Sequence, residues 1–140
     1  MLEPDTRCPC GTGEVYGACC GRYHSRFAQA GELTAPTPEA LMRSRFTAFA
    51  VGLPDYLLAT WHPSTRPTSL HLDDSLRWYR LDILSTAGGP FDSTGGVEFA
   101  AYYRSVPGTP EDERVRGVQT EVSRFTKDGG AWYYVDGEVS

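Results

Sequence analysis

Residues 37–63 read TPEALMRSRFTAFAVGLPDYLLATWHP, and most of the fold can be argued from how this stretch starts, stops and restarts. Thr37 supplies a capping hydroxyl, Pro38 sits at the first helical position where its missing N–H costs nothing, and Glu39 places a carboxylate in the first turn, where the helix dipole favours it. Met42, Phe46, Phe49 and Leu53 follow at spacings of four, three and four, the signature of one apolar stripe on a helix. Gly52 ends that helix. Pro54-Asp55 opens a second, which runs through Tyr56, Leu57, Leu58 and Trp61 until His62-Pro63 stops it, because proline disfavours helix at the residue before it. The stretch predicts a compact, bent helical pair.

Downstream the period changes. Residues 77–86, 97–106, 115–126 and 131–136 are rich in β-branched and aromatic side chains and are separated by glycine- and proline-rich turns. They predict a four-stranded, mainly antiparallel meander. In the second strand Val97, Phe99, Ala101 and Tyr103 share one face, and Glu98, Tyr102 and Arg104 the other. Large side chains on both faces fit a curved sheet that packs two or three helices on one side around a partly covered hollow. They also fit a homodimer interface on the outer side. The class is α+β.

Upstream, residues 8–24 hold all four cysteines, and residues 25–37 read as a linker containing a helical turn or two. The organisation expected is residues 1–34 as knuckle and linker, followed by a domain over 35–140. At 140 residues, 40% hydrophobic and 22% charged, the chain has the composition of a folded domain. Its net charge of -5 and pI near 5.1 argue against direct DNA binding, which relies on positive charge. No stretch approaches the roughly 18 apolar residues that span a bilayer, and the N-terminus lacks a basic start and an apolar run, so a cytoplasmic location is expected. In that reducing compartment clustered cysteines bind metal or do redox chemistry more often than they form disulfides.

The cysteines stand as Cys8-Pro9-Cys10 and, eight residues later, Cys19-Cys20. A ligand pair at each end of a short loop is a common way to give zinc its four tetrahedral ligands, and Gly11 and Gly13 permit the tight turn between them. Four thiolates would close the coordination sphere around one structural ion. Three rivals stand beside this reading. A disulfide between the adjacent Cys19 and Cys20 would be strained. A redox pair would have one residue between Cys8 and Cys10 where the thioredoxin-type motif has two. His24 is available to replace one cysteine.

Cys8-Pro9-Cys10-Gly11-Thr12-Gly13, then Tyr16 and Cys19-Cys20-Gly21, closely resembles the SEC-C motif, the zinc knuckle also found at the C-terminus of the SecA translocation ATPase. Leu41 to Phe46, Asp55-Tyr56-Leu57, Thr60 to Ser64, Ser123-Arg124-Phe125 and Trp132 to Gly137 are similar to the YchJ family, also called UPF0225. The resemblance implies an NTF2-like cone with an inner pocket, zinc on Cys8, Cys10, Cys19 and Cys20, and no established activity. By analogy with SecA, whose similar knuckle contacts a chaperone and ribosomes, it implies a protein or ribosomal partner.

NTF2-like relatives include isomerases and dehydratases that use an acid or histidine in an apolar pocket, so an enzyme or small-ligand carrier is the alternative to a binding module. The pocket candidates are Arg45, Trp61, His62, Tyr102, Glu121, Arg124 and Tyr134, with Asp82, Glu98 and Asp136 as further ionisable groups. Arg45 with Arg124 would suit an anionic ligand. Each also has an ordinary structural role open to it. His62 can satisfy carbonyls at a helix end, Arg45 can cover the core and meet a carboxylate such as Glu121, and Trp132, Tyr133 and Tyr134 can simply pack.

Overall fold

The computed structural model describes residues 2–139. Helices α1 (Cys20–Ala30), α2 (Pro38–Val51) and α3 (Pro54–Ala59) precede strands β1 (Leu76–Ala87), β2 (Thr94–Ser105), β3 (Arg116–Asp128) and β4 (Ala131–Val139). The strands form one antiparallel sheet in the order β1-β2-β3-β4, the meander that the turn chemistry predicts.

Helix α2 begins and ends where its signals stand. The Thr37 hydroxyl accepts from the Ala40 amide at 3.1 Å, and Gly52 closes the helix in the left-handed conformation at φ 79°. Its burial exceeds the predicted stripe. Leu41, Met42, Ser44, Arg45, Phe46, Thr47 and Ala48 are all buried, while Phe49 is partly exposed. The reason is that α2 lies between the sheet and the N-terminal segment, so two of its sides are covered.

Two boundaries differ from the sequence reading. The segment expected to be mostly linker contains α1, which begins at Cys20 inside the cysteine cluster. It is held by Phe27 packing edge-on against Tyr56, with ring centroids 5.7 Å apart. Helix α3 stops at Ala59, before Trp61. The Thr60 hydroxyl turns back to donate to the Tyr56 carbonyl at 2.8 Å, and the next residues are captured by β4, where Trp61 and Tyr134 form a parallel bridge. The His62 amide donates to Tyr134 O at 2.7 Å, and the Tyr134 amide donates to Thr60 O at 2.8 Å.

Register shifts bend the sheet around the helices. They fall at Trp78/Arg80 and Ile83/Ser85 in β1 and at Arg124/Phe125 between β3 and β4. The concave face carries Leu81, Val97, Phe99, Ala101, Phe125 and Trp132, which share one buried cluster with Leu41, Met42, Phe46 and the four cysteines. A smaller cluster of Ala48, Tyr56 and Leu57 packs beneath α1.

Leu41→Ala is expected to lower unfolding stability by about 2–5 kcal/mol, because Leu41 is enclosed in the shared cluster. Phe91→Ala, at a fully exposed side chain, should change stability by no more than about 0.5 kcal/mol. Urea titrations of the two variants check this, and similar losses in both would contradict the assigned core.

Candidate metal centre and the hollow beneath the sheet

The Sγ atoms of Cys8, Cys10, Cys19 and Cys20 all lie within 4.8 Å of one another, and all four residues are buried. A tetrahedron with metal–sulfur bonds of about 2.3 Å has edges of about 3.8 Å, so these positions fit a single ion. The backbone brings the pairs together as a small ribbon. Arg7 and Val15 form an antiparallel bridge, the Cys8 amide donates to Glu14 O at 2.9 Å, and Gly11 and Gly13 turn the chain at φ 85° and 90°. Gly21 is needed for a different reason: a Cβ there would sit 2.6 Å from the Tyr16 carbonyl, blocking the approach of α1 to the ribbon.

Hydroxyls and cations surround the sulfurs. Thr47 on α2 donates to Cys20 Sγ at 3.4 Å and lies 3.7 Å from Cys8 Sγ, while Thr12 Oγ1 is 3.2 Å from Cys19 Sγ. Arg43 Nη1 donates to Cys10 O at 2.8 Å and Arg22 Nε to Cys19 O at 3.1 Å. Hydrogen bonds from Cys10 and Cys20 hold the Cys8 thiol far below its ordinary value. Hydrogen bonding to Cys10 and then Cys8, with burial after them, pushes Cys20 far up. Four thiolates this close together in a buried site would require a cation among them.

His24 is not among the clustered ligand atoms. Its Nε2–H donates to the Ser44 carbonyl at 2.8 Å, which leaves Nδ1 to accept from the Tyr16 hydroxyl at 2.6 Å. With both ring nitrogens engaged, His24 has a core role joining α1, the ribbon and α2, in place of the rival reading in which it substitutes for a cysteine.

A separate hollow of about 270 Å³ opens between α2 and the concave face of the sheet. Of the candidate pocket residues, Arg45, Trp61, Glu121 and Tyr134 line it, and Tyr102, His62 and Arg124 do not. Strand alternation places Tyr102 on the outer face, where Arg80 stacks over its ring at 4.8 Å. Arg124 is on that face too, paired with Asp136 at 2.6 Å and Glu138 at 3.6 Å, so no second arginine joins Arg45. His62 falls beyond the end of α3, between Ser64 and Asp128. Asp82 pairs with Arg80, and Glu98 accepts from Ser85.

Arg45 does not meet Glu121 as an ion pair. Its Nη1 donates to Leu57 O at 2.8 Å and to Thr60 Oγ1 at 2.6 Å, and its guanidinium lies over the rings of Tyr134 and Trp61, at 4.5 and 5.3 Å. Burial pushes its pKa down to about 10, which still leaves it cationic at neutral pH. Glu121 accepts instead from Gln119 Nε2 at 2.9 Å and Ser123 Oγ at 3.3 Å. The sequence reading missed Trp78, Gln119 and Ser123 on the wall of the hollow. The i, i+2 alternation of Gln119, Glu121 and Ser123 with Phe125 was the available signal, whereas the register shift at Tyr79 hides the facing of Trp78.

Residues 37–137 match the family described as "YchJ, middle NTF2-like domain", and residues 6–22 match the SEC-C motif. A UPF0225 protein of Corynebacterium glutamicum is 58% identical over 95% of this chain and 97% of its own length. One of Streptomyces coelicolor is 49% identical over 96% and 97%. The solution structure of a SEC-C motif containing protein from Rhodopseudomonas palustris superposes with a TM-score of 0.75 at 32% identity, covering 96% of this chain and 99% of that one. The crystal structure of another, from Psychrobacter arcticus, gives 0.73 at 26% identity, covering 100% and 86%.

Burial lowers the His24 pKa below its ordinary 6.5, so the unfolded chain takes up a proton that the folded chain refuses. Stability should therefore fall as pH drops below about 6.5, and the slope should be shallower in His24→Gln. Urea midpoints between pH about 7 and about 6, above the range where thiolates release metal, check this; identical slopes would contradict a neutral buried imidazole.

Proposed function

The chain belongs to the YchJ (UPF0225) family, and on that premise we propose that its four cysteines hold one zinc ion as a structural staple in a binding module for a macromolecular partner. The observation that carries this reading is the burial of all four sulfurs within reach of a single ion. Four thiolates leave no open position for water or substrate, which suits a structural rather than a catalytic ion. They would also carry two more negative charges than the ion neutralises, and Arg22 and Arg43 lie against the same backbone to offset them.

The sulfur side of the ribbon is sealed against α2, while residues 11–15 are exposed. A ribosomal or chaperone partner, the class suggested by the SEC-C resemblance, would therefore meet Thr12, Glu14 and Val15 rather than the sulfurs. A second reading, small-ligand binding, is favoured by one observation: the hollow lined by Arg45 is not filled by the protein's own side chains.

Protein purified without chelator should contain about one equivalent of zinc, a site worth about 10–16 kcal/mol in small zinc peptides. Cys19→Ser with Cys20→Ser should reduce zinc to a small fraction of that. Purified protein lacking zinc while its thiols are reduced would overturn the staple. For the partner, Glu14→Arg with Val15→Asp leaves the sulfurs untouched and should reduce recovery of ribosomes or chaperones from native lysate. Undiminished recovery would count against the ribbon as the contact.

A further inference from the structure

We infer that the hollow between α2 and the sheet binds a small monocarboxylic acid with an apolar or aromatic body, its carboxylate seated on Arg45. This deepens the small-ligand reading and rests on it. Arg45 is only 3% exposed and makes no ion pair among the described residues. A buried cation without a direct ion pair is costly, and the aromatic faces of Tyr134 and Trp61, with the more distant charge of Glu121, compensate it only in part.

The donors on this wall point to what is missing. Nη1 is committed to Leu57 O and Thr60 Oγ1, and the guanidinium stands on the wall of the hollow. Trp61, on the same wall, keeps its indole N–H buried and unpartnered. An unpartnered indole N–H beside a buried guanidinium that has no direct ion pair calls for an acceptor-rich anion.

The rest of the wall restricts which anion. Met42, Phe46, Trp78 and Phe99 make most of it apolar, and about 270 Å³ holds about nine non-hydrogen atoms at the ~30 Å³ a water molecule occupies. That is too large for a bare oxyanion, and it suits a carboxylate carrying a ring or short chain. Glu121 stands on the same hollow and repels any negative charge brought in, so the cost grows with the ligand's charge and a multiply charged anion is disfavoured most. A monoanion fits, whereas phosphate or a dicarboxylate does not.

Benzoate has the required size, benzyl alcohol keeps the ring without the charge, and inorganic phosphate keeps the charge without the ring. Titrating each into the full chain, with the Trp61 indole N–H and the backbone amides of 119–123 followed by NMR, separates the possibilities. Benzoate should shift both sets saturably, benzyl alcohol should bind at least tenfold more weakly, and phosphate should leave the hollow unmoved. Arg45→Lys, which loses the planar fork, should weaken benzoate about ten- to hundredfold. If that variant fails to fold, Ala101→Leu fills the hollow without touching Arg45 and should abolish the shifts. Equal binding of benzoate and benzyl alcohol would overturn the carboxylate assignment while leaving small-ligand binding standing. Phosphate binding at Arg45 as tightly as benzoate would overturn the apolar body. No response at the hollow to any of the three would overturn both.

Discussion

The seating of the sulfur cluster on α2, through Cys8 and Cys20 against Thr47, is the contact from which the rest of the architecture follows. A segment as short as residues 8–24 cannot bury enough apolar surface to order itself, and here it does not have to. Its cysteines and Tyr16 belong to the same buried cluster as Leu41, Phe46, Val97 and Trp132. Once the ribbon is fixed, α1 starts from Cys20, and its Phe27 reaches the ring of Tyr56. Tyr56 in turn hydrogen-bonds Ser44, whose carbonyl holds His24. The SEC-C motif is therefore a wall of the NTF2-like core, its sulfurs turned inward and the tip of its ribbon turned to solvent.

The same chain of contacts reaches the hollow. Placing α3 sets the carbonyl of Leu57 and the hydroxyl of Thr60, and these two acceptors fix one end of the Arg45 guanidinium. The bridge between Trp61 and Tyr134 then brings both rings over it. A charge kept this dry, with aromatic faces on one side and open volume beside it, is an arrangement for meeting another charge. Carboxylate capture needs only such a group and an apolar cavity; it needs no acid–base pair.

Much of the fold could be read directly, because α2 carries complete start and stop chemistry and the strands alternate between short turns. The errors have local causes. Helix α1 lacks a side-chain cap and begins on a metal-ligand candidate, so no start signal marks it. The α3 end depends on a Thr60 hydroxyl bond and on β4, which lies far along the chain. The cysteine spacing made the sulfur cluster legible, whereas its partner Thr47 is 27 residues from Cys20 and leaves no local trace. In the hollow, strand parity set Tyr102 on the opposite face from Ala101, and the same alternation in β3 turns Arg124 away while Ser123 faces in. Arg45 was harder to place, since a helix covered on two sides has little contrast between its faces.

The central claim is that one ion is held by sulfur alone. X-ray absorption at the zinc edge, on protein purified with its native metal, tests this most directly. The account predicts a single shell of four sulfur scatterers at about 2.3 Å. A shell containing nitrogen or oxygen ligands, or fewer than four sulfurs, would contradict it, because His24 is already committed to Tyr16 and Ser44 and the cluster would then be open to solvent chemistry.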